Sequence, residues 1–560
     1  MTIVLLSIYS VATMYVDTSK IKNKTKTYSR HLLRTSFREN GKVKHKTIAN
    51  LSSCSKDEIK AIKLALKHKN DLTVLSSVKN VKTILGKRIG AVWVMYELAK
   101  RLGIVKTLGS GLGGKLALLQ IIARICDQGS RLSAVRFAKR HAICEIIGIE
   151  KLDEDDLYEN LKWLADEQET IEKKMFKLRY SDQIPTLFLY DVTSSYLEGT
   201  HNELAAWGYN RDKKRGKMQI VVGLLVGPDG LPVAVRVFKG NTQDTKTVSE
   251  QVRILAKSFG AKQVTLVGDR GMIKGPQIND LPEDFRYITA ITKPQIRKKL
   301  ESSVFQYELF TERICEVEED GVRYVLRRNP VRACQIANTR EGKFNSIQNF
   351  VQERNRYLNE HPRASVKTAL KKINAKIKKL KSKEWVKTSV DQRQISIEKD
   401  EFALEEISLL DGCYAIKSNV SKKDADSKTL HERYCDLEGI ERSFRTMKTA
   451  HLEIRPVFVR KKKSTESHVF ITMLALLLQR KLEEYWVDLD LTVEEGIDEL
   501  GAIHIEDVFV GKTKIQNIPI PNQIGNKLLE KAKICLPSVL PDRTASVHTK
   551  KKLNCDRISK

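Results

Sequence analysis

Three carboxylates set the chemical question in this sequence. In "TLFLYDVTSSYLEG" (186–199) an apolar run, Leu187-Phe188-Leu189, leads to Asp191, and small hydroxyl residues follow Val192. "VTLVGDRGM" repeats the pattern with Asp269. Each run reads as a buried strand that ends on a carboxylate. Alone, such an Asp commonly caps a turn. Two of them on neighbouring strands have a second use. Like charges at one sheet edge raise each other's pKa unless a cation lies between them, and magnesium favours carboxylate and water oxygens. The third carboxylate, Glu441, lies in "YCDLEGIERSFRTMK". Leu437, Ile440, Phe444 and Met447 form the apolar stripe of a helix there, and Glu441 borders it. Tyr434 and Lys448 stand two turns before and after Glu441, so the three side chains are expected on one helix face at intervals of about 10 Å. Singly, Glu441 reads as a surface residue. As a set, the three carboxylates are expected to converge within metal-bridging distance.

The elements that must position them follow from periodicity. Residues 22–50 read as a small basic β unit with a turn at Asn40-Gly41, and 56–70 as a helix. Residues 87–180 carry apolar residues at helical spacing, punctuated by Gly103, Gly109 and Gly129. From 185 the period changes. "PTLFLYDV" is a strand. Residues 218–240 are two strands joined at Pro228-Asp229-Gly230, 245–260 a helix, and 262–269 and 285–291 two further strands. That succession makes a mixed sheet with a crossover. The stretch 294–425 interrupts it. It holds a polar hairpin turning at Asp320-Gly321, then a basic segment in which Leu370, Ile373, Ile377 and Leu380 form one stripe of a lysine-rich helix. Strong helices return over 426–485.

Composition narrows the partners. The chain has 560 residues, 99 Lys and Arg against 69 Asp and Glu, and a net charge of +30. A chain of this length makes two to four domains. An excess of positive charge spread along it points to a polyanion, with nucleic acid first. The nine cysteines are scattered and odd in number, without C-x-x-C, which suits free thiols in a reducing cytosol. The eleven histidines show no metal-ligand spacing. Residues 1–16 are apolar but short for a membrane span and lack a basic n-region. Met14 stands as an alternative start.

At this point the sequence resembles bacterial insertion-sequence transposases of the DDE type, in the IS-four-type group that marks its third carboxylate with Y-x2-R-x3-E-x6-K. Here the matching positions are Tyr434, Leu437, Glu441 and Lys448, so the arginine is replaced by Leu437. "YDVTSSY" and "GDRGM" resemble the first- and second-Asp strands, and the likeness covers about residues 90 to 535. The β-β-β-α-β order, with carboxylates on its first and fourth strands, also suits an RNase H-like sheet. The resemblance implies an α/β multidomain chain. Its expected parts are a small basic N-terminal region (1–85), a helical DNA-binding domain (86–180), and an RNase H-like core (181–293 and 426–485) interrupted by an insertion domain (294–425). A C-terminal region (486–560) follows.

The resemblance also implies catalytic and metal-binding roles for Asp191, Asp269 and Glu441, with two Mg²⁺ or Mn²⁺ ions. Asp191 would bridge them, with Asp269 and Glu441 each holding one side. DNA contacts are expected from Tyr434, Lys448, Lys213, Lys214, Arg215 and Arg270. The partners implied are element ends and target DNA, bound by a homodimer in the bacterial cytoplasm at the nucleoid, with no membrane. Two rivals share these features. One is a nuclease of the same fold without strand transfer, and the other a DNA-binding protein without catalysis.

Overall fold

The computed structural model describes residues 13–550 except 24–25, 40–41, 68, 70–80, 213, 262–263, 271, 274–283, 449–451, 457, 511–512 and 541–542. Most of the apolar start, the Asn40-Gly41 turn and Lys213 therefore lie outside the described residues. The chain divides into two compact units.

The first unit is Met1–Gly86 with His504–Pro519 and Pro537–Val539. Strands β1 (Thr13–Asn23), β2 (Lys26–Glu39) and β3 (Lys42–Asn50) form an antiparallel meander, with Asn23 opposite Lys26 and Glu39 opposite Lys42. The helix Lys56–Lys67 follows. Its start is set by a reciprocal cap: Ser55 N–H donates to Glu58, and Glu58 N–H donates to Ser55 Oγ. Strand β4 (Val81–Arg88) shares a three-stranded sheet with two strands from far along the chain, His504–Val510 and Thr513–Asn517.

The second unit opens with helices Gly90–Arg101, Leu112–Cys126, Arg131–Arg140 and Glu154–Arg179. The last begins after β5 (Lys151–Leu152) with a capping box, in which Asp153 accepts from Asp155 and Asp156 and Asp156 accepts from Asp153 N–H. The main sheet takes β6 (Leu187–Tyr196), β7 (Gln219–Val226), β8 (Pro232–Lys239), β9 (Val264–Gly268), β10 (Phe285–Ala290), β11 (Cys315–Glu319) and β12 (Val322–Arg328). A small hairpin, β13 (Val386–Asp391) and β14 (Gln394–Lys399), stands apart, and β15 (Cys413–Ser418) completes the sheet. The order is β11-β12-β15-β10-β9-β6-β7-β8. Both β9 and β10 run parallel to β6, whereas β6, β7 and β8 are antiparallel.

Turn chemistry explains two connections. Between β7 and β8 Gly230 takes a φ of 73°. Between β11 and β12 both Asp320 and Gly321 have positive φ, 50° and 72°; this matches the backbone of a tight hairpin. That hairpin extends the main sheet. The part of 294–425 with a core of its own is narrower. Helices Pro330–Glu360 and Val366–Lys379 bury Ile347, Val351, Leu358, Ile373 and Ile377 against Trp385 and Ile395.

The sheet is covered on both faces. On one, Phe188, Tyr190 and Val192 of β6 join Val248, Ile254 and Leu255 from the segment after β8, with Phe176. On the other, the helix Leu437–Lys448 packs on β6 through Ile440, Phe444 and Met447, all buried. The helix Lys462–Tyr485 is buried on all sides from Val469 to Leu478, as expected of a central helix. Among the described residues no helix is long and apolar enough to cross a membrane.

Candidate active site

Register decides how Asp191 and Asp269 stand. Tyr190 of β6 is paired with Gly268 of β9 in the parallel ladder. Asp191 and Asp269 are the next residues on each strand, so they are side by side at the end of that ladder. Neighbouring strands lie about 4.8 Å apart, and residues in register share a face. The strand itself does not end at Asp191: β6 continues to Tyr196, with Asp191 opposite Leu224 of β7. Asp191 therefore sits at the end of one pairing and the middle of another. The hydroxyl residues after it, Thr193, Ser194 and Ser195, are buried strand residues.

Glu441 comes from the helix on the same face. It lines one pocket of about 320 Å³ with Asp191, Asp269, Tyr434, Leu437 and Glu438. Asp191 is half-buried; Asp269 and Glu441 are exposed. Asp191 Oδ1 accepts from Val192 N–H at 2.8 Å. Asp269 Oδ1 accepts from Arg270 N–H at 2.7 Å and from the Tyr434 hydroxyl at 3.4 Å. Among the described residues no three His, Cys, Asp or Glu side chains form a ready-made metal site. The pocket gathers the three carboxylates without closing them around one ion.

The charge balance of the pocket falls on Asp191. Burial pushes its pKa from the ordinary carboxylate range up to about 7. The Val192 N–H opposes this, the Asp269 charge reinforces it, and Arg211 and Glu441 pull in opposite directions. Burial, and then the Asp269 charge, likewise raise the Tyr434 phenol. The donor set, carboxylate oxygens gathered in one pocket, suits a hard divalent cation.

A stability prediction follows. An acid whose folded pKa lies above its unfolded value holds its proton more tightly when folded, so stability declines as pH rises through that interval. Asp191→Asn removes this cost. In metal-free buffer the variant should melt at a higher temperature than the parent at pH 8, and the gap should shrink toward pH 5. A gap independent of pH would show that Asp191 titrates normally.

The other expected contacts are distributed differently. Tyr434 is on a separate helix, Ser427–Cys435, and the chain breaks at Asp436 before Leu437–Lys448. Tyr434 thus reaches Asp269 from its own helix instead of sharing a continuous face with Glu441 and Lys448. Lys448 is taken up by Asp212, at 2.7 Å. Lys214 and Arg215 are exposed, with Lys214 Nζ 5.9 Å from the Tyr196 ring centroid. Arg270 is exposed beside Asp269. Two neighbours of the carboxylates escaped the sequence reading. Glu438 lines the pocket one turn before Glu441, a spacing visible in the sequence. Arg211, paired with Asp244 and donating its backbone N–H to Ser194 Oγ, reaches Asp191 only because the loop after β6 folds back, and no sequence signal announces it.

Comparison with known proteins bears on this geometry. The family model described as transposase DDE domain matches residues 182–478, just over half of the chain and all three carboxylates. The chain belongs to the DDE transposase family. A second model, IS1634 family transposase N-terminal domain, matches residues 16–74 of this transposase. No curated protein matches the chain.

Proposed function

We propose that this transposase binds the two ends of an insertion sequence as a homodimer, cleaves them, and joins the freed 3′-OH ends to target DNA. The observation that carries the reading is the pairing of Asp191 and Asp269 at the end of the β6–β9 ladder, with Glu441 brought to the same pocket. The fold supports it. Five strands in the order β10-β9-β6-β7-β8, the first three in sequence antiparallel and the later two parallel to the first, are the arrangement that an RNase H-like core requires. The segment between β12 and β15, with its own hydrophobic centre, supports an insertion domain within 294–425, and the helices of 86–180 suit the DNA-binding part.

Asp191 would be shared by two Mg²⁺ or Mn²⁺ ions, with Asp269 and Glu441 each holding one of them. When bound, such ions activate water and stabilise the charge that develops at the scissile phosphate. The side chains hold carboxylate charge at fixed positions. The Tyr434 hydroxyl orients Asp269, and Arg211 and Arg270 supply positive charge beside the phosphates. Lys214 and Arg215 extend that surface along the duplex. No protein nucleophile is needed, since water and then a DNA 3′-OH serve in turn. The protein acts on DNA in the bacterial cytoplasm, at the nucleoid.

The test uses purified protein, a duplex carrying the element end, a plasmid target and Mg²⁺ or Mn²⁺. The expected result is a cut at the end followed by covalent transfer to the plasmid. Cutting without joining would replace the reading with a nuclease of the same fold. Binding without cutting would make the chain a regulatory DNA-binding protein.

A further inference from the structure

Residues 13–50, the β1-β2-β3 meander, hold ten Lys and Arg against two acidic residues, Asp17 and Glu39. Asp17 is taken by Arg34, at 2.9 Å. The surplus is sorted by strand. Lys20 and Lys22 lie on β1, and Lys42 and Lys46 on β3, the two outer strands. Past Lys26 at its start, the central strand β2 carries only arginines: Arg30, Arg34 and Arg38. The four lysines of the outer strands, Arg30 and Arg38 are all exposed.

Register sorts the faces. Side chains alternate along a strand, and the pairing of β1 with β2 runs unbroken. Tyr15, Ile21, Arg30, Arg34 and Arg38 therefore share one face. Val43 and His45 of β3 join it, opposite Arg38 and Ser36. The helix Lys56–Lys67 belongs to the other face, where Lys63 Nζ donates to Thr18 Oγ1 at 3.1 Å. On the first face the Tyr15 hydroxyl and His45 Nδ1 share a hydrogen bond of 2.9 Å across β2. Arg30 and Arg38 stand on either side of that bridge. Beside them are two exposed apolar side chains, Ile21 (46%) and Val43 (56%).

The dimensions select a groove. Neighbouring strands are about 4.8 Å apart, which puts β1 about 10 Å from β3. The major groove of B-DNA is about 12 Å wide and the minor groove about 6 Å. The sheet fits the first and not the second. Docked by the Arg30–Arg38 face, it sets β2 over the base edges and the outer strands beside the two phosphate backbones. The residue types suit those places. A guanidinium forks onto guanine O6 and N7, and an apolar group meets the thymine methyl. Lysine is a point charge on a flexible stem, able to swing round the sheet edge to a phosphate.

We propose that this face enters the major groove of the element end, where Arg30 and Arg38 read guanines while Lys20, Lys22, Lys42 and Lys46 hold the flanking phosphates. The inference rests on the reading that this transposase binds element ends, and it names the segment that recognises them. Arg30 and Arg38 are about 27 Å apart along β2, so they address separate base pairs.

The test compares binding of the full chain to an end duplex and to a scrambled duplex of the same length and composition. Arg30→Lys with Arg38→Lys keeps the charge and removes the forks. Preference for the end duplex should fall about tenfold or more, with affinity for the scrambled duplex and the salt slope unchanged. Lys42→Gln with Lys46→Gln should instead weaken both duplexes alike and lower the slope by about 0.9 for each phosphate given up. A second readout places 7-deazaguanine, which lacks N7, in the end duplex. Guanines at which it weakens the parent should cease to matter in the arginine variant. If the parent prefers the end and the arginine variant keeps that preference, this inference is overturned and end binding stands. A parent that binds both duplexes equally would overturn end binding and this inference together.

Discussion

Asp191→Asn should abolish both cutting of the element end and its joining to target DNA. The loss should be at least on the order of 10²–10³-fold, the size of effect expected when one charge-stabilising group is removed from a preorganised site. The change is nearly isosteric. Asparagine can still accept from Val192 N–H and keep the strand in register with β7. What disappears is the charge shared between Asp269 on one side and Glu441 on the other. End-DNA affinity should stay within a few-fold of the parent, since it rests on lysines and arginines elsewhere. A gel assay of end cleavage beside a binding titration separates the two effects. If the variant cut as fast as the parent, Asp191 would be no more than a strand residue beside a turn.

Affinity for end DNA should fall steeply with salt. A protein that neutralises phosphates releases condensed counterions, and neutralising six to ten of them costs about 10³–10⁵ in affinity between about 50 and about 200 mM salt. The net charge of +30 is ample for this, and the structure shows where part of it is free to act. The Val366–Lys379 helix has no acidic residue. Its apolar stripe faces inward while Lys367, Lys371, Lys372, Lys378 and Lys379 are exposed. Changing Lys367, Lys371 and Lys372 to Gln should lower the slope of log affinity against log salt by about 0.9 for each phosphate that the helix no longer neutralises. An unchanged slope would leave that helix as a solvated surface, and a flat salt response in the parent would remove the phosphate-dominated interface altogether.

Much of this protein is written in short-range pattern. The apolar runs before Asp191 and Asp269, the turns at Gly230 and Asp320-Gly321, and the stripe Ile440, Phe444 and Met447 are local properties. Alternation, helical spacing and turn residues report them directly, because each depends on neighbours within a few positions. The order of elements around the carboxylates was legible for the same reason, and so was membership of the transposase family. Other features depend on partners far away in the chain. The helix break at Asp436 puts Tyr434 on a helix of its own, although an unbroken periodicity runs through it. Lys448, read as a DNA contact, is paired with Asp212 on a loop more than two hundred residues earlier. The β11–β12 hairpin joins the main sheet because β15, beyond the helices Pro330–Glu360 and Val366–Lys379, supplies the edge it pairs with. The strands His504–Val510 and Thr513–Asn517 complete a sheet with β4 near the other end of the chain. Arg211 came near Asp191 in the same way. The sequence by itself determined which segments bury one face and where charge is carried. Only the tertiary structure decided which strand edges and which charges meet. Hydrogen-bonding edges and ion pairs are satisfied by whatever lies nearest in space, and loop closure lets that partner come from anywhere along the chain at little extra entropic cost.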